Sequence, residues 1–303
     1  TGLGAPQWHH QRLVGRFDGI SFQDLLDHER GIRYNSMWGD YNGEEFSWRR
    51  NFYHKPKFYA NWYWTLSPRT DIATTAYASF GRGGGTGPRG RINGSFENSS
   101  RFYDDRYGDD SQGQVMFDNI DNWNSGSTNY PSDWGDPAQV FDSVDRDIDN
   151  RRDFFGDKYV NTSGNGFIRR ASMNGHNWYG ILSTLTHNFN DNLSLVGGID
   201  LRWYRGIHYR RVTNLLGADA YFTDTDINIA GQFISQEKEA SAIVNMSNDM
   251  KLNYHNDGIV GWQGAFAQLE WANDNISAHI SGAFSNQSYQ RVDYFNYYYS
   301  DAL

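Results

Sequence analysis

The side chains best able to do chemistry are acids and imidazoles: the chain carries 36 Asp and Glu and 9 His, and no Cys. Aspartates gather at Asp104-Asp105, at Asp109-Asp110 and from Asp142 through Asp157. Clustered carboxylates are what Ca²⁺ takes as ligands, but none of these runs follows an EF-hand loop, and acidic surface loops are equally well satisfied by water. His9-His10, His28, His54, His176, His187, His208, His255 and His279 lack the spacing of a zinc motif such as HExxH, so structural or solvated roles are expected of them. "GRGGGTG" at 81–87 lacks the Lys-Ser/Thr of a phosphate-binding loop and reads as a flexible exit from a strand. A glycoside hydrolase would hide its carboxylate pair in so acidic a chain, yet no local motif supports one. The expectation is a protein that is not an enzyme and needs no cofactor.

Bulk properties narrow the partners. A net charge of -9 argues against nucleic acid, because neutralising phosphates takes a basic surface. Without Cys there is no disulfide framework, thiolate metal site or Cys nucleophile. Mean hydropathy is -0.76, yet aromatics make up 17% of the chain and 32 Gly stand against 6 Pro, which favours strands and tight turns. No run approaches the ~18 apolar residues of a membrane-spanning helix, but a transmembrane barrel hides its lipid face in alternate residues. The sequence opens at Thr1 with neither Met nor signal peptide, so a processed product or a fragment is expected.

The elements that would position any site are hairpins. Three segments, 54–81, 175–207 and 259–290, show period-two patterning on both sides of a tight turn. In the first, Phe58, Ala60, Trp62, Trp64 and Leu66 alternate with Tyr59, Asn61, Tyr63 and Thr65 before a turn at Ser67-Pro68-Arg69-Thr70. In the second, Tyr179, Ile181, Leu185 and Phe189 share a face with Leu193, Leu195, Ile199, Leu201 and Trp203 across Asn190-Asp191-Asn192. The third repeats the turn chemistry, setting Ala265, Ala267, Leu269 and Trp271 against Ile276, Ala278, Ile280 and Phe284 across Asn273-Asp274-Asn275. Segment 12–31 is expected to hold a short helix.

Half-buried alternation fits a soluble sandwich as well as a barrel. Two features favour the barrel. Trp64, Phe189 and Trp271 each lie beside a turn on the apolar face, where an interfacial aromatic girdle belongs. The connections 82–174 and 208–258 far exceed the ~12–15 residues usual in compact domains, and tight turns alternating with long loops are the habit of porin-type barrels. The fold expected is therefore all-β: an antiparallel transmembrane β-barrel segment with long extracellular loops. Asp200, Arg202, Tyr204, Gln268 and Glu270 fall on the polar faces and are expected to face the lumen, because a bilayer penalises Arg near its midplane by ~2–4 kcal/mol. On this reading Leu195→Arg and Leu269→Arg block insertion while Ser194→Arg and Gln268→Arg do not. Trp38, Tyr41 and Trp48 lie in the loop-like N-terminal stretch and Trp123, Tyr130 and Trp134 in the first long connection, where rings suit contact with sugars or peptides or, equally, a small core for the loops themselves.

Several stretches resemble a known family. "GAPQWHHQR" at 4–12, "YASFGRGGGTG" at 77–87, "IRRASMNGHNWYGILSTLTHNFNDNLSLVGGIDLRWYRGIHYR" at 168–210 and "WQGAFAQLEWANDNISAHISGAFSNQSYQR" look like the barrel portion of TonB-dependent receptors of the Bacteroidota outer membrane, broadly SusC-like. The resemblance implies that 1–303 is a partial barrel domain, an internal part of a 22-stranded barrel. It implies import of a large glycan, peptide or chelate across the outer membrane. The implied partners are outer-membrane lipid, the TonB complex acting through a plug that this chain lacks, and a SusD-like surface lipoprotein over the barrel. The alternatives are a soluble secreted glycan-binding β-protein or hydrolase, and a small complete barrel serving as an adhesin.

Overall fold

The computed structural model describes residues 2–3, 37–104, 113–136, 140–141, 158–241 and 251–298. In chain order the strands are β1 (Gly2–Leu3), β2 (Trp38–Tyr41), β3 (Glu44–Ser47), β4 (Asn51–His54), β5 (Lys57–Ser67), β6 (Thr70–Arg91) and β7 (Val140–Phe141). They continue as β8 (Lys158–Asn161), β9 (Gly166–Asn188), β10 (Leu193–Asn214), β11 (Ala220–Thr223), β12 (Gln232–Ile234), β13 (Lys251–Ala272) and β14 (Ser277–Asp293). A helix, α1 (Phe117–Asn124), sits in the longest connection. The protein is thus mostly antiparallel β-structure. The region expected to be helical at 12–31 lies outside the described residues, as does "GAPQWHHQR".

One sheet dominates. Its order is β1-β4-β6-β9-β10-β13-β14, with β5 paired to the turn-proximal half of β6 and β4 to the distal half. Each long strand pairs with its sequence neighbour among the long strands, so the chain runs up and down and every long insert joins adjacent strands. The sheet is open: β5 and β14 are edges, exposed along almost their whole length on both faces.

Cross-strand register confirms the two faces. One row joins Trp64, Ile72, Leu185, Gly197, Ala267 and Gly282, and the next joins Trp62, Thr74, Ser183, Ile199, Ala265 and Phe284. No second sheet or helix covers this band among the described residues: Trp64, Phe189 and Trp271 remain 48%, 47% and 42% exposed. At the far end of the band stands a second row of aromatics, with ring centroids 6.4 Å apart for Phe58 and Phe80, 5.5 Å for Phe80 and Tyr179, and 5.4 Å for Tyr179 and Trp203. The row that starts beside the first turn at Thr70 reaches the third hairpin at Leu269 and Ile280, about three residues short of its turn. At ~3.3 Å per residue and ~4.8 Å between strands, the line of turns is inclined to the hydrogen-bond direction by roughly 30°.

The repeated Asn turns share one geometry. Asn190 Oδ1 accepts from the backbone N–H of Asn192 and Leu193, both at 2.9 Å, and Asn273 Oδ1 accepts from Asn275 and Ile276, again at 2.9 Å. These are Asx turns, in which a short carbonyl side chain replaces a backbone acceptor. Neighbouring turns are tied together: Arg69 Nη1 donates to Phe189 O at 2.8 Å and Asn192 Nδ2 to Ala272 O at 2.7 Å. Asn190→Ala and Asn273→Ala are each expected to cost about 1 kcal/mol, read as a lower urea midpoint, and together about twice that because they share no partner.

The strands run beyond the readable hairpins. "GRGGGTG", expected to be a flexible exit, is continuous ladder, from Arg82 opposite Gly175 to Gly87 opposite Arg170. Glycines show no alternation, so periodicity could not register them as strand. At this end the apolar column of β9 continues through Met173, Ala171 and Phe167 into two buried cores: Phe52, Ala171, Met173, Ile207, Tyr209 and Ala240 form one. The larger one gathers Trp48, Phe102, Phe117, Ile120, Trp123, Trp134 and Phe167. On the opposite face Ile168 and Val212 join Leu215, Tyr221, Ile234 and Leu252.

Candidate functional site

The polar column of β10 carries Asp200, Arg202 and Tyr204 on the face opposite Ile199, Leu201 and Trp203. Arg202 forks onto Asp200, Nε to Oδ1 at 2.9 Å and Nη2 to Oδ2 at 2.5 Å, and its guanidinium lies 5.7 Å from the Trp262 ring centroid. Gln268 pairs with Val196 and Ser281, and Glu270 with Ser194 and His279, so all five residues expected on this face share it. Gly180 shows how the face stays clear: a Cβ there would lie 2.3 Å from Tyr77 Cζ, so the missing side chain lets the Tyr77 ring lie flat across the neighbouring strand.

Farther from the turns the same face holds His176 and His208, of which only structural or solvated roles were expected, beside Asn174 and Trp178, which the sequence did not single out. His176 Nδ1 and Tyr204 OH are 2.7 Å apart, His208 Nδ1 and Asn174 Oδ1 are 2.8 Å apart, and the two imidazoles meet edge to face at 6.2 Å. Trp178 packs edge-on to Tyr204 at 5.8 Å. Together they form a shelf of ring faces and hydrogen-bonding edges suited to a polar ligand. Extending the alternation of Asp200, Arg202 and Tyr204 by two steps along β10 would have reached His208. Among the described residues no three His, Asp or Glu gather closely enough to hold a metal ion.

The loop tryptophans lie elsewhere. Trp38, Trp48, Trp123 and Trp134 are buried, between 0% and 3% exposed. Trp48 meets Phe117 edge-on at 4.9 Å, and Phe102 meets Trp134 at 5.0 Å and Phe167 at 5.1 Å. These four rings have no open face for a ligand, and the loop-core alternative is the arrangement found. Tyr41 and Tyr130 are half-buried against the same core. Tyr41 OH donates to Asp121 Oδ2 at 2.6 Å, and burial together with that carboxylate pushes its phenol well above the usual range. Buried Asn124 fastens α1 to the sheet, its Nδ2 donating to Phe167 O at 2.8 Å and Leu216 O at 2.7 Å. Asp104 accepts from the Gln114 backbone N–H at 2.8 Å, a loop-closing bond. Asp105, Asp109, Asp110 and the run from Asp142 to Asp157 lie outside the described residues.

A third polar group sits where residues 293–298 close over the sheet. Buried Asp257 binds Arg205 Nη2 at 2.5 Å and accepts from Tyr294 OH at 3.1 Å. His255 stacks on the Tyr294 ring at 4.1 Å and stands 3.0 Å from Lys251 Nζ through Nε2. Burial first, then Lys251, pulls its imidazole down to about 4, against the opposing pull of Asp257, Asp293 and Asp226. Between about 4 and the ordinary ~6.5 the unfolded chain therefore holds a proton that the folded chain refuses, and stability falls as pH drops through that window. The expected result is a His255→Gln variant whose urea midpoint changes less between pH 6.5 and 4 than that of the parent chain.

No protein-family model, curated protein or solved structure matches the chain.

Proposed function

We propose that this chain forms an arc of an outer-membrane β-barrel in a TonB-dependent nutrient receptor, taking in a large polar ligand along its polar face. The observation that carries the reading is the uncovered apolar band bounded by two rows of aromatics. Tyr179 on β9 and Phe189 just past its end mark the borders of the band, about ten residues apart. At ~3.3 Å per residue and a strand tilt of ~40° this is ~25 Å of height, the apolar thickness of an outer-membrane barrel. The inclined line of turns is a stagger of the kind that closure into a barrel requires. The exposed edges β5 and β14 leave ladder groups that further barrel strands would satisfy. In this arrangement the Asn turns face the periplasm, the α1 lobe faces outward, and Asp200, Arg202, Tyr204, Gln268 and Glu270 line the lumen.

The partners follow from the same reading: lipid on the band, a plug coupled to the TonB complex inside the arc, and a surface lipoprotein over the loop lobe. Transport would run by capture on the outer lobe, then transient contacts down the polar face once the plug rearranges. The chain refolded from urea with and without lipid vesicles tests the proposal. Vesicle-bound, protease-resistant β-structure is the expected result. A monomeric folded protein in detergent-free buffer that ignores vesicles would sink it and favour the secreted glycan-binding alternative.

A further inference from the structure

Four guanidinium groups converge on the polar face, beyond the His176–His208 shelf. Arg170 lies opposite Gly87, and a Cβ built on Gly87 would stand 2.8 Å from Arg49 Nη1 and 3.3 Å from both Nη atoms of Arg170. Two charged heads therefore overhang a single residue, which only the absence of a side chain permits. One step along, Ser172 Oγ accepts from Arg170 Nη1 at 3.2 Å and from Arg210 Nε at 3.4 Å. Arg89 donates through Nε to Tyr221 OH at 2.7 Å. We infer that Arg49, Arg89, Arg170 and Arg210 form a binding site for a multiply charged oxyanion, a soluble ligand bearing carboxylate or phosphate groups.

The charge balance supports this assignment. Arg202, Arg205 and Arg291 each have an aspartate partner, whereas among the described residues no carboxylate pairs with Arg89, Arg170 or Arg210. Their acceptors are neutral: Ser172, Tyr221 and Asn253. Arg170 Nε is buried and has no hydrogen-bond partner among the described residues. Burial first, and then Arg210 and Arg49, draw its guanidinium down to about 10, the direction expected where a cation is taken from water and set beside like charges. In a chain of net charge -9, concentrating Arg89, Arg170 and Arg210 at one place without a carboxylate partner works against solvation unless an anion completes them. Guanidinium forks match planar oxyanions two bonds at a time. The cluster faces away from the apolar band, which places its ligand on the polar side of the sheet rather than among lipid headgroups.

The assignment deepens the import reading by giving the cargo a charge, and the two can fail separately. Full chain in detergent micelles is titrated by calorimetry at low ionic strength with citrate, with pyrophosphate and with maltotetraose as a neutral control. Saturable binding of at least one anion but not of the sugar is expected, weakened tenfold or more by Arg170→Gln and by Arg210→Gln, with Arg170→Lys between them and the parent. Unfolding midpoints should stay level or rise, since each Gln relieves like-charge repulsion. Failure of both anions to bind, or unchanged affinity in both Gln variants, would overturn the site. A chain that folds without detergent yet still binds citrate would remove the import reading and leave the site standing.

Discussion

Leu185→Arg and Ile199→Arg are each expected to make insertion into vesicles less favourable by ~2–4 kcal/mol, whereas Thr184→Arg leaves it nearly unchanged. The residues are near neighbours and the difference is one of direction. Leu185 lies opposite Ile72 and Gly197, and Ile199 opposite Ser183 and Ala265, halfway between the two aromatic rows. Thr184 lies opposite Ala73 and Gly198 on the polar face. Leu195 and Leu269 are on the apolar face too, but their row begins beside the first turn at Thr70. Arg at those two sites can reach the interface with its long stem, so the penalty should shrink toward ~0–1 kcal/mol. A depth profile thus replaces an all-or-none block. The measurement is the urea dependence of protease-resistant, vesicle-bound chain. Equal damage from Thr184→Arg and Ile199→Arg would mean that lipid does not solvate the apolar face.

Why the faces could be read from sequence while the arginine cluster could not follows from what covers each stretch. Between Tyr179 and Phe189 only one face is apolar, so alternation survives in the residue order. Above that level both faces are packed: Phe167 and Ile168 are consecutive and both fully buried, in separate cores. Periodicity disappears there, and 82–91, 166–174 and 208–214 look like loop although they are ladder. Arg170 and Arg210 stand in those unreadable extensions, so their shared face with Arg202 was invisible before the register was known. The Asn turns were legible because their chemistry is local: one carbonyl oxygen and two amides within the turn itself.

Composition alone also left two roles open for the loop aromatics, since a ring in a core and a ring facing a sugar are the same residue type. Trp48→Ala and Trp123→Ala separate the roles. Both side chains are essentially fully enclosed, Trp48 by Phe117 and Phe167 and Trp123 within the same cluster. Truncation leaves a cavity that close-packed neighbours only partly fill, so a loss of ~3–5 kcal/mol is expected for either variant. The loss should appear as early unfolding of the α1 lobe, because these tryptophans do not touch the exposed band; Trp64→Ala, which removes a ring already half in solvent, should leave that transition in place. Hydrogen exchange at the amides of α1 reads the effect locally. A Trp123→Ala chain with unchanged exchange there but weakened sugar binding would return the ring to ligand contact, an outcome at odds with its 1% exposure.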